Sequence, residues 1–273
     1  MKNSRQRIGL FDSGVGGLTV LREMYRQMPT ESLLYFADSA RLPYGERSPG
    51  EILQFVREIL DWMCAQDVKM IIMACNTSSA LALETVRHEY DLPILGVILA
   101  GAKAAVACGS KIGVISTAAT AKSGAYPQAI QEINPQARVW SVACPQFVSL
   151  IEQNKLYAAE TKQVAREYLA PLLEAQIDTL VYGCTHYRHL EPTIHSLLPA
   201  SVQTIDPAEH IVVAAEKELS LLGLRNNCYS LPTRFYVTGS PQQFASLSQQ
   251  WLGYYPRVQK IEVKQLLAEA IKD

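Results

Sequence analysis

The sequence has no two cysteines at the short spacing that redox motifs use. Its six cysteines stand far apart, at Cys64, Cys75, Cys108, Cys144, Cys184 and Cys228. Thiol–disulfide oxidoreductases normally carry their reactive pair as C-x-x-C, so the sequence disfavours that class of enzyme, even with Cys75 and Cys184 as the pair. No export signal accompanies the cysteines, and we expect them to be reduced thiols in the cytoplasm.

The chain also lacks a charge excess and a long apolar run. It has 25 basic and 26 acidic residues among 273, so no overall field would attract nucleic acid or anionic lipid. The apolar run 8–11, after the basic N-terminus, is too short for the core of a signal peptide. Pro93 and Lys103 interrupt the most apolar stretch, 92–108, and argue against a membrane span. We therefore expect a soluble cytoplasmic protein that binds neither nucleic acid nor membrane.

A third glycine is missing from the loop that could have held a dinucleotide. The loop Asp12-Ser13-Gly14-Val15-Gly16-Gly17 follows a predicted strand, but Thr19 stands where G-x-G-x-x-G requires its last glycine. The negative charge of Asp12 would also face the pyrophosphate. We interpret the loop as a place where backbone N–H groups hold a small carboxylate. A plain tight turn would explain the glycines, but it leaves Asp12 and Ser13 without an explanation.

Segments that favour strands alternate with amphipathic or alanine-rich segments that favour helices. This alternation predicts the α/β class, with parallel sheets covered by helices. A capping box at 48–51, with proline at the first helical position, marks one helix start. Strands are predicted at 7–12, 32–37, 68–74, 93–97, 111–116, 137–143, 178–182, 202–205 and 234–238, and helices at 17–28, 49–66, 158–175 and 241–252.

The two halves of the chain repeat the same order of features. The strand at 8–11 opens a turn rich in glycine and serine, the strand at 112–115 opens a turn rich in threonine, and a strand-end cysteine follows later in each half. We predict two related α/β lobes, at 1–97 and 98–209, with the segment 210–273 packing back on the first. Nothing between the lobes has the composition of a flexible linker, so they should meet along a cleft.

Cys75 and Cys184 occupy matching positions in these halves. Each ends a continuously apolar run and is followed by polar residues that can hydrogen-bond a ligand, Asn76-Thr77 in one half and Thr185-His186 in the other. Open α/β sheets place active-site groups at such strand ends, and a helix that begins there would lower the pKa of the thiol. Two such thiols facing one substrate could remove a proton from one side and return one from the other. That is the chemistry of a racemase.

Two further residues could assist the thiols in proton transfer. His186 lies two residues after Cys184, and Asp12 ends the first predicted strand, from which it could act on Cys75. Cys144 also ends a strand, but no comparable polar run follows it. The alternative for any single cysteine is a small buried hydrophobic side chain, which we accept for Cys64, Cys108 and Cys228.

Other interpretations stay open. Cys184, His186 and His189 could belong to a zinc site, although zinc needs three or four converging ligands and no fourth has a recognisable spacing. We therefore expect neither a metal nor an organic cofactor. The loop Pro43-Tyr44-Gly45 could contact a substrate through its backbone or be an ordinary surface turn. The chain could also be a two-lobed amino-acid binding protein without catalytic activity.

With these motifs the sequence resembles the glutamate racemase family, within the cofactor-independent aspartate/glutamate racemases. The resemblance covers nearly the whole chain, and the two cysteine motifs together with the Asp-Ser-Gly loop carry it. The matching stretches are 9–18, 35–39, 43–45, 74–77, 183–187 and 235–239.

The resemblance implies that the protein interconverts L- and D-glutamate without a cofactor and supplies the D isomer for peptidoglycan. It implies two pseudo-symmetric flavodoxin-like lobes with the active site in the cleft between them, and a homodimer. Cys75 would act on D-glutamate and Cys184 on L-glutamate, with Asp12 and His186 assisting. A racemase for aspartate or another small amino acid is the alternative. The implied substrate contacts are Asp12, Ser13, Pro43, Tyr44, Gly45, Cys75, Asn76, Thr77, Thr117, Thr120, Glu152, Cys184, Thr185 and His186.

Overall fold

A computed structural model describes residues 2–264 and residue 266, which form two parallel sheets flanked by helices. The strands are β1 Ile8–Asp12, β2 Leu33–Ala37, β3 Met70–Met73, β4 Ile94–Gly96, β5 Lys111–Ser116, β6 Arg138–Ala143, β7 Thr179–Gly183, β8 Gln203–Ile205, β9 Arg234–Val237 and β10 Val258–Lys260. The α-helices are α1 Leu18–Gln27, α2 Pro49–Ala65, α3 Asn76–Val86, α4 Val97–Cys108, α5 Ala118–Ser123, α6 Ala125–Ile133, α7 Gln146–Glu152, α8 Ala159–Glu174, α9 Glu191–His195, α10 Pro207–Leu221 and α11 Pro241–Leu252. Short 3₁₀ helices span Tyr44–Glu46 and Thr185–Leu190.

The two sheets share one strand order. The first runs β10-β9-β2-β1-β3-β4 and the second β6-β5-β7-β8, so the last four strands of the first sheet match the four strands of the second. This second-first-third-fourth order is that of flavodoxin-like folds, which confirms the predicted class. We call the elements around each sheet the first and second lobes. Of the helices that the structure describes, none has the length and apolar character that crossing a bilayer requires.

The predicted strands are all present, with bounds that differ by no more than two residues. They are recognisable because both faces of a parallel sheet are covered, which makes β1, β2, β3 and β7 fully buried and apolar except for Asp12 and Thr179 at strand ends. The predicted capping box is also present: Ser48 Oγ accepts from Glu51 N, and the Glu51 carboxylate accepts from Ser48 N at 2.9 Å. Strand β10 was not predicted, because its short and largely exposed sequence has no apolar pattern.

The segment after α10 returns to the first sheet. Strand β9 pairs with β2, and β10 pairs with β9. These pairings support the lobe bounds 1–97 plus 210–273 and 98–209, which stay a prediction. Of the predicted first lobe, residues 1, 265 and 267–273 lie outside the described residues.

Each sheet reverses its strand order at one point, and ligands of open α/β sheets bind there. In the first lobe the reversal lies between β1 and β3, which end next to Asp12 and Cys75. In the second lobe it lies between β5 and β7, which end next to Thr117 and Cys184. The fold therefore brings four polar side chains from distant parts of the sequence to corresponding places in the two lobes.

Candidate active site

A pocket between the two lobes is lined by both Cys75 and Cys184. Of the predicted substrate contacts, all but Asp12, Thr120 and Glu152 line this pocket, and each of those three hydrogen-bonds a residue that does. The lining residues are Ser13, Leu42, Pro43, Tyr44, Gly45, Glu46, Cys75, Asn76, Thr77, Thr117, Ala118, Pro145, Val148, Cys184, Thr185 and His186. A small ligand in this pocket would therefore have one thiol from each lobe beside it.

Cys75 is the N-cap of α3 and is only 5% exposed. The expectation that the helix N-terminus lowers its pKa is wrong. Burial raises the pKa of Cys75 to about 12, the negative charge of Asp12 adds to the rise, and hydrogen bonding from Ser78 only partly opposes it. Desolvation outweighs the helix dipole here, so Cys75 rests as the protonated thiol, ready to donate a proton.

Cys184 belongs to a chain of three side chains that all come from the second lobe. Its sulfur lies 4.0 Å from Nδ1 of His186, and Nε2 of His186 lies 2.9 Å from Oε1 of Glu152. Burial alone would lower the pKa of His186, but the hydrogen bonds to Cys184 and Glu152 raise it well above its ordinary value. Because its pKa is raised, the His186 imidazole can stay protonated between the sulfur of Cys184 and the carboxyl group of Glu152.

The segment after Cys184 is a 3₁₀ helix, Thr185–Leu190, and not the α-helix that the sequence suggested. Pro192 explains the difference, because an α-helix beginning at Thr185 would bring the proline ring against the carbonyl of Arg188. The chain instead starts a separate helix, α9, with Pro192 in its first turn. The irregular segment places the side chains of Thr185 and His186 in the pocket.

Asp12 connects the glycine loop of the first lobe to the second lobe. Its Oδ1 accepts a hydrogen bond from Gly14 N at 2.8 Å, and its Oδ2 accepts one from the Thr185 hydroxyl at 3.2 Å. The carboxylate is fully buried, and its charge disfavours the thiolate of Cys75. Its predicted assistance to Cys75 would therefore be to keep that thiol protonated between turnovers.

Two glycines of the first lobe allow the lobes to approach closely. A methyl group added at Gly16 would clash with the Thr185 hydroxyl and lie 2.5 Å from Nδ1 of His186. A methyl group added at Gly45 would lie 2.7 Å from Cβ of Thr117. These positions therefore need glycine because second-lobe side chains of the pocket pack directly against their backbone.

The loop after β2 lines the pocket with Pro43, Tyr44 and Gly45, and the hydroxyl of Tyr44 holds it in place. The Tyr44 hydroxyl donates to the buried carboxylate of Asp38, which also accepts from Arg41 and, at 2.8 Å, from the Thr238 hydroxyl. Burial and the charge of Asp38 raise the pKa of Tyr44 well above its ordinary value. Tyr44 thus fastens the loop to the first lobe and leaves the peptide of Gly45 at the pocket wall.

Threonine hydroxyls from both lobes form a closed ring beside the pocket. Thr77 Oγ1 lies 3.0 Å from that of Thr117 and 3.2 Å from that of Thr120, and the last two lie 3.0 Å apart. Next to the ring, the hydroxyl of Tyr126 donates to Oδ1 of Asn76 at 2.7 Å. The first turn of α3 is therefore joined to the second lobe through both of its leading residues.

Sequence reasoning missed Tyr126 and Asp38, which do not line the pocket but hold residues that do. Tyr126 lies far from either cysteine motif, and no pattern in the sequence connects it to Asn76. Asp38 follows the carboxyl end of β2, a position that could have suggested a role. Pro145 and Ala118 line the pocket just after β6 and β5, where the same positional rule applies.

The zinc hypothesis receives no support from the position of His189. Its ring stacks on Trp251 of α11, with the ring centroids 3.4 Å apart. Burial, together with the nearby charge of His186, lowers the pKa of His189 to about 3, so it is neutral. Across residues 2–264 and 266, no group of three or more His, Cys, Asp or Glu side chains could hold a metal ion.

Comparison with known proteins agrees with this geometry. Residues 8–215 match the family model described as Asp/Glu/Hydantoin racemase. The chain belongs to the Asp/Glu/hydantoin racemase family. The matched region begins at β1 and ends within α10, so it includes both cysteines and all of the pocket-lining residues.

Glutamate racemases are among the proteins that the chain resembles. A glutamate racemase from Gloeothece citriformis is 67% identical over 257 residues, which are 94% of this chain and 92% of that protein. The crystal structure of a Bacillus anthracis glutamate racemase isoform superposes with a TM-score of 0.93 at 37% identity, covering 95% and 98% of the two chains. The crystal structure of the Francisella tularensis glutamate racemase in complex with D-glutamate superposes with a TM-score of 0.91 at 34% identity. The superposition covers 96% of this chain and 99% of that one.

Proposed function

We propose that this protein interconverts L- and D-glutamate by passing protons to and from the α-carbon with Cys75 and Cys184. The observation that carries the proposal is that the two thiols line one pocket from two different lobes. A base that removes a proton from one face of a carbon cannot easily return it to the other face. One thiol on each side removes that difficulty, and the 67% identical relative named above is a glutamate racemase.

The two thiols stand in different surroundings. Burial raises the pKa of Cys75, so that thiol holds its proton, whereas Cys184 lies beside the imidazole of His186, whose own pKa is raised. In agreement with the family resemblance, Cys184 would take the α-proton from L-glutamate while Cys75 delivers one to form D-glutamate. The reverse reaction uses the opposite protonation state.

The site must also stabilise the negative charge that develops when the α-proton leaves. The N-terminus of α3 begins at the pocket wall, and N–H groups there carry a partial positive charge. The N–H of Thr77 is one of these, and the backbone N–H groups of Ser13 and Gly45 are further candidate donors. Preorganised donors of this kind contribute about 3–4 kcal/mol each to the stability of a transition state.

Solvent isotope incorporation tests the two-thiol mechanism. In D₂O, each thiol exchanges with solvent before the substrate arrives, so the initial product should carry deuterium while recovered substrate stays protiated, in both directions. Cys75→Ala and Cys184→Ala should each abolish racemisation. Cys228→Ala serves as the matched control, because Cys228, like Cys108, is exposed and not buried as expected from the sequence. The enzyme should keep its activity after dialysis against EDTA. Equal early deuteration of substrate and product, or an active Cys184→Ala variant, would refute the proposal.

We further propose, from the family resemblance, that the protein acts in the cytoplasm as a homodimer and supplies D-glutamate for peptidoglycan. Light scattering after size exclusion measures the oligomeric state, and a monomer at working concentration would contradict the dimer. Depletion in a bacterial host should produce a requirement for external D-glutamate. Comparing turnover of glutamate with that of aspartate tests the substrate directly, and faster turnover of aspartate would favour the alternative racemase.

A further inference from the structure

Tyr126 reaches from the second lobe into the first at the edge of the pocket. It lies at the start of α6, and its side chain is 1% exposed. Its ring belongs to an apolar cluster of the second lobe with Ile98, Val114 and Ile130. Its hydroxyl donates to Oδ1 of Asn76, the first residue of α3, at 2.7 Å. A residue from the core of the second lobe therefore hydrogen-bonds a pocket-lining residue of the first lobe.

This hydrogen bond decides which end of the Asn76 amide faces the pocket. A side-chain amide has an acceptor oxygen and a donor nitrogen, and rotation by half a turn exchanges them. In the described part of the chain, the Tyr126 hydroxyl has Asn76 as its hydrogen-bond partner, so its proton needs the oxygen. The opposite orientation would leave a buried O–H without an acceptor, which is unfavourable.

The phenol stays a donor throughout the working pH range. Burial raises the pKa of Tyr126 well above its ordinary value, and the charges of Asp206 and Cys184 add to the rise. Oδ1 of Asn76 is thus committed to Tyr126. Among the described residues no hydrogen bond uses Nδ2, which leaves its two N–H groups for a ligand in the pocket that Asn76 lines. Such donors bind a carboxylate and not an ammonium group.

We propose that Tyr126 is a positioning residue for racemisation, which holds the Asn76 amide with its N–H groups toward the pocket so that they bind a carboxylate of the substrate. The inference rests on the proposed function, because it takes an amino-acid dicarboxylate as the ligand. It goes beyond that function in assigning a role to a residue that touches neither the substrate nor a thiol. It also makes substrate affinity depend on how the two lobes are joined.

The variant Tyr126→Phe removes the hydroxyl and keeps the ring. The Asn76 amide can then rotate. The apparent affinity for substrate falls in proportion to the fraction of enzyme whose amide still has its N–H groups toward the pocket. We expect KM and the Kd of D-glutamate to rise about 3- to 10-fold, with kcat changed less than KM. Tyr90→Phe is the matched control, because it removes a phenol that bonds Asp61 at 2.6 Å at a site away from the pocket. Its kinetic constants should equal those of the wild type.

A double-variant cycle separates positioning from a general structural effect. If Tyr126 acts through the amide, Tyr126→Phe should change KM and Kd no further once Asn76→Ala is present. Full additivity of the two losses, or a wild-type KM in Tyr126→Phe, would overturn the proposal. Titration calorimetry with D-glutamate gives the Kd of the wild type, the two single variants and the double variant, independently of turnover. Failure of the two-thiol mechanism would instead appear in the deuterium experiment, so the two failures are distinguishable.

Substrate analogues identify the carboxylate that Asn76 holds. 4-Aminobutyrate lacks the α-carboxylate, and 2-aminobutyrate lacks the side-chain carboxylate. As inhibitors, only the analogue that retains the recognised carboxylate should bind more weakly to Tyr126→Phe than to the wild type. Equal weakening of both would show a general loss of pocket shape and would also count against the proposal.

Discussion

The substitution Gly16→Ala should impair catalysis although the residue never touches the substrate. Gly16 lies in the glycine loop of the first lobe, and its backbone is outside the left-handed region, so alanine fits the local conformation. The new methyl carbon would lie 2.5 Å from Nδ1 of His186 and 2.8 Å from Cε1. Because ordinary carbon contacts are about 3.5 Å or longer, the imidazole and the neighbouring Thr185 hydroxyl must shift by roughly 1 Å, which disturbs the contact of His186 with Cys184.

The expected loss follows from that shift. A misplacement of about 1 Å at a catalytic group can cost around 10²-fold in rate, which is about 2.7 kcal/mol of transition-state stabilisation. We therefore expect kcat/KM to fall roughly 10²-fold, equally in both directions because an enzyme does not change the equilibrium. Circular dichroism of the L and D substrates measures both rates. The melting temperature and the far-ultraviolet spectrum should show an intact fold.

Two comparisons make this test decisive. Gly50→Ala carries the same chemical change at a position where the added methyl has no neighbour within 4 Å, and it should keep wild-type kinetics. In a His186→Asn background, Gly16→Ala should cost less than in the wild type, because the imidazole is already gone and only the clash with the Thr185 hydroxyl remains. Wild-type activity in a folded Gly16→Ala enzyme would refute the reasoning. So would a loss that adds fully to that of His186→Asn.

Two other predictions concern pH and stability. Because the pKa of His186 is raised, its imidazolium persists above the ordinary value near 6.5, and kcat/KM should fall only as pH rises through that higher pKa. His186→Asn should lower kcat about 10²–10⁴-fold and abolish this alkaline limb, and an unchanged limb would contradict the assignment. Glu31→Gln should lower the free energy of unfolding by about 3–5 kcal/mol, because it leaves the buried ammonium of Lys69 without its carboxylate at 2.6 Å. Glu89→Gln, in an exposed pair with Arg57, should cost less than about 1 kcal/mol in the same urea titration, and similar losses would refute the distinction.

The sequence was informative where burial is complete and local. Strands such as β3 and β7 are covered on both faces, so their apolar runs mark them without any knowledge of the fold. The helix start at Ser48 was equally clear, because a capping box is a contact between residues only three apart. Strand β10 was not predicted, because an exposed strand at the edge of a sheet has no continuous apolar run.

Parts of the site could not be derived from the sequence, because they depend on contacts between residues far apart in the chain. The pKa of Cys75 was expected to fall at a helix N-terminus, but its rise depends on burial and on the position of Asp12 at the end of the neighbouring strand β1. The bond from Tyr126 to Asn76 joins residues 50 apart in the chain. Local pattern can place a residue at a strand end, but it cannot say which side chain of the other lobe will face it.

The ring of Thr77, Thr117 and Thr120 distinguishes between the charged groups of an amino acid. Each hydroxyl has one proton and two lone pairs, so a closed ring of three uses every proton once. Thr117 Oγ1 also accepts from the backbone N–H of Thr120 at 3.3 Å, so the lone pairs left over belong to Thr77 and Thr120, and of these two Thr77 lines the pocket. An ammonium group can donate to those lone pairs while the ring stays closed. A carboxylate can accept a proton from the ring only if one of its bonds opens, and opening a bond from Thr77 loosens a connection between the lobes. The ring thus favours cations and resists anions although it carries no charge of its own.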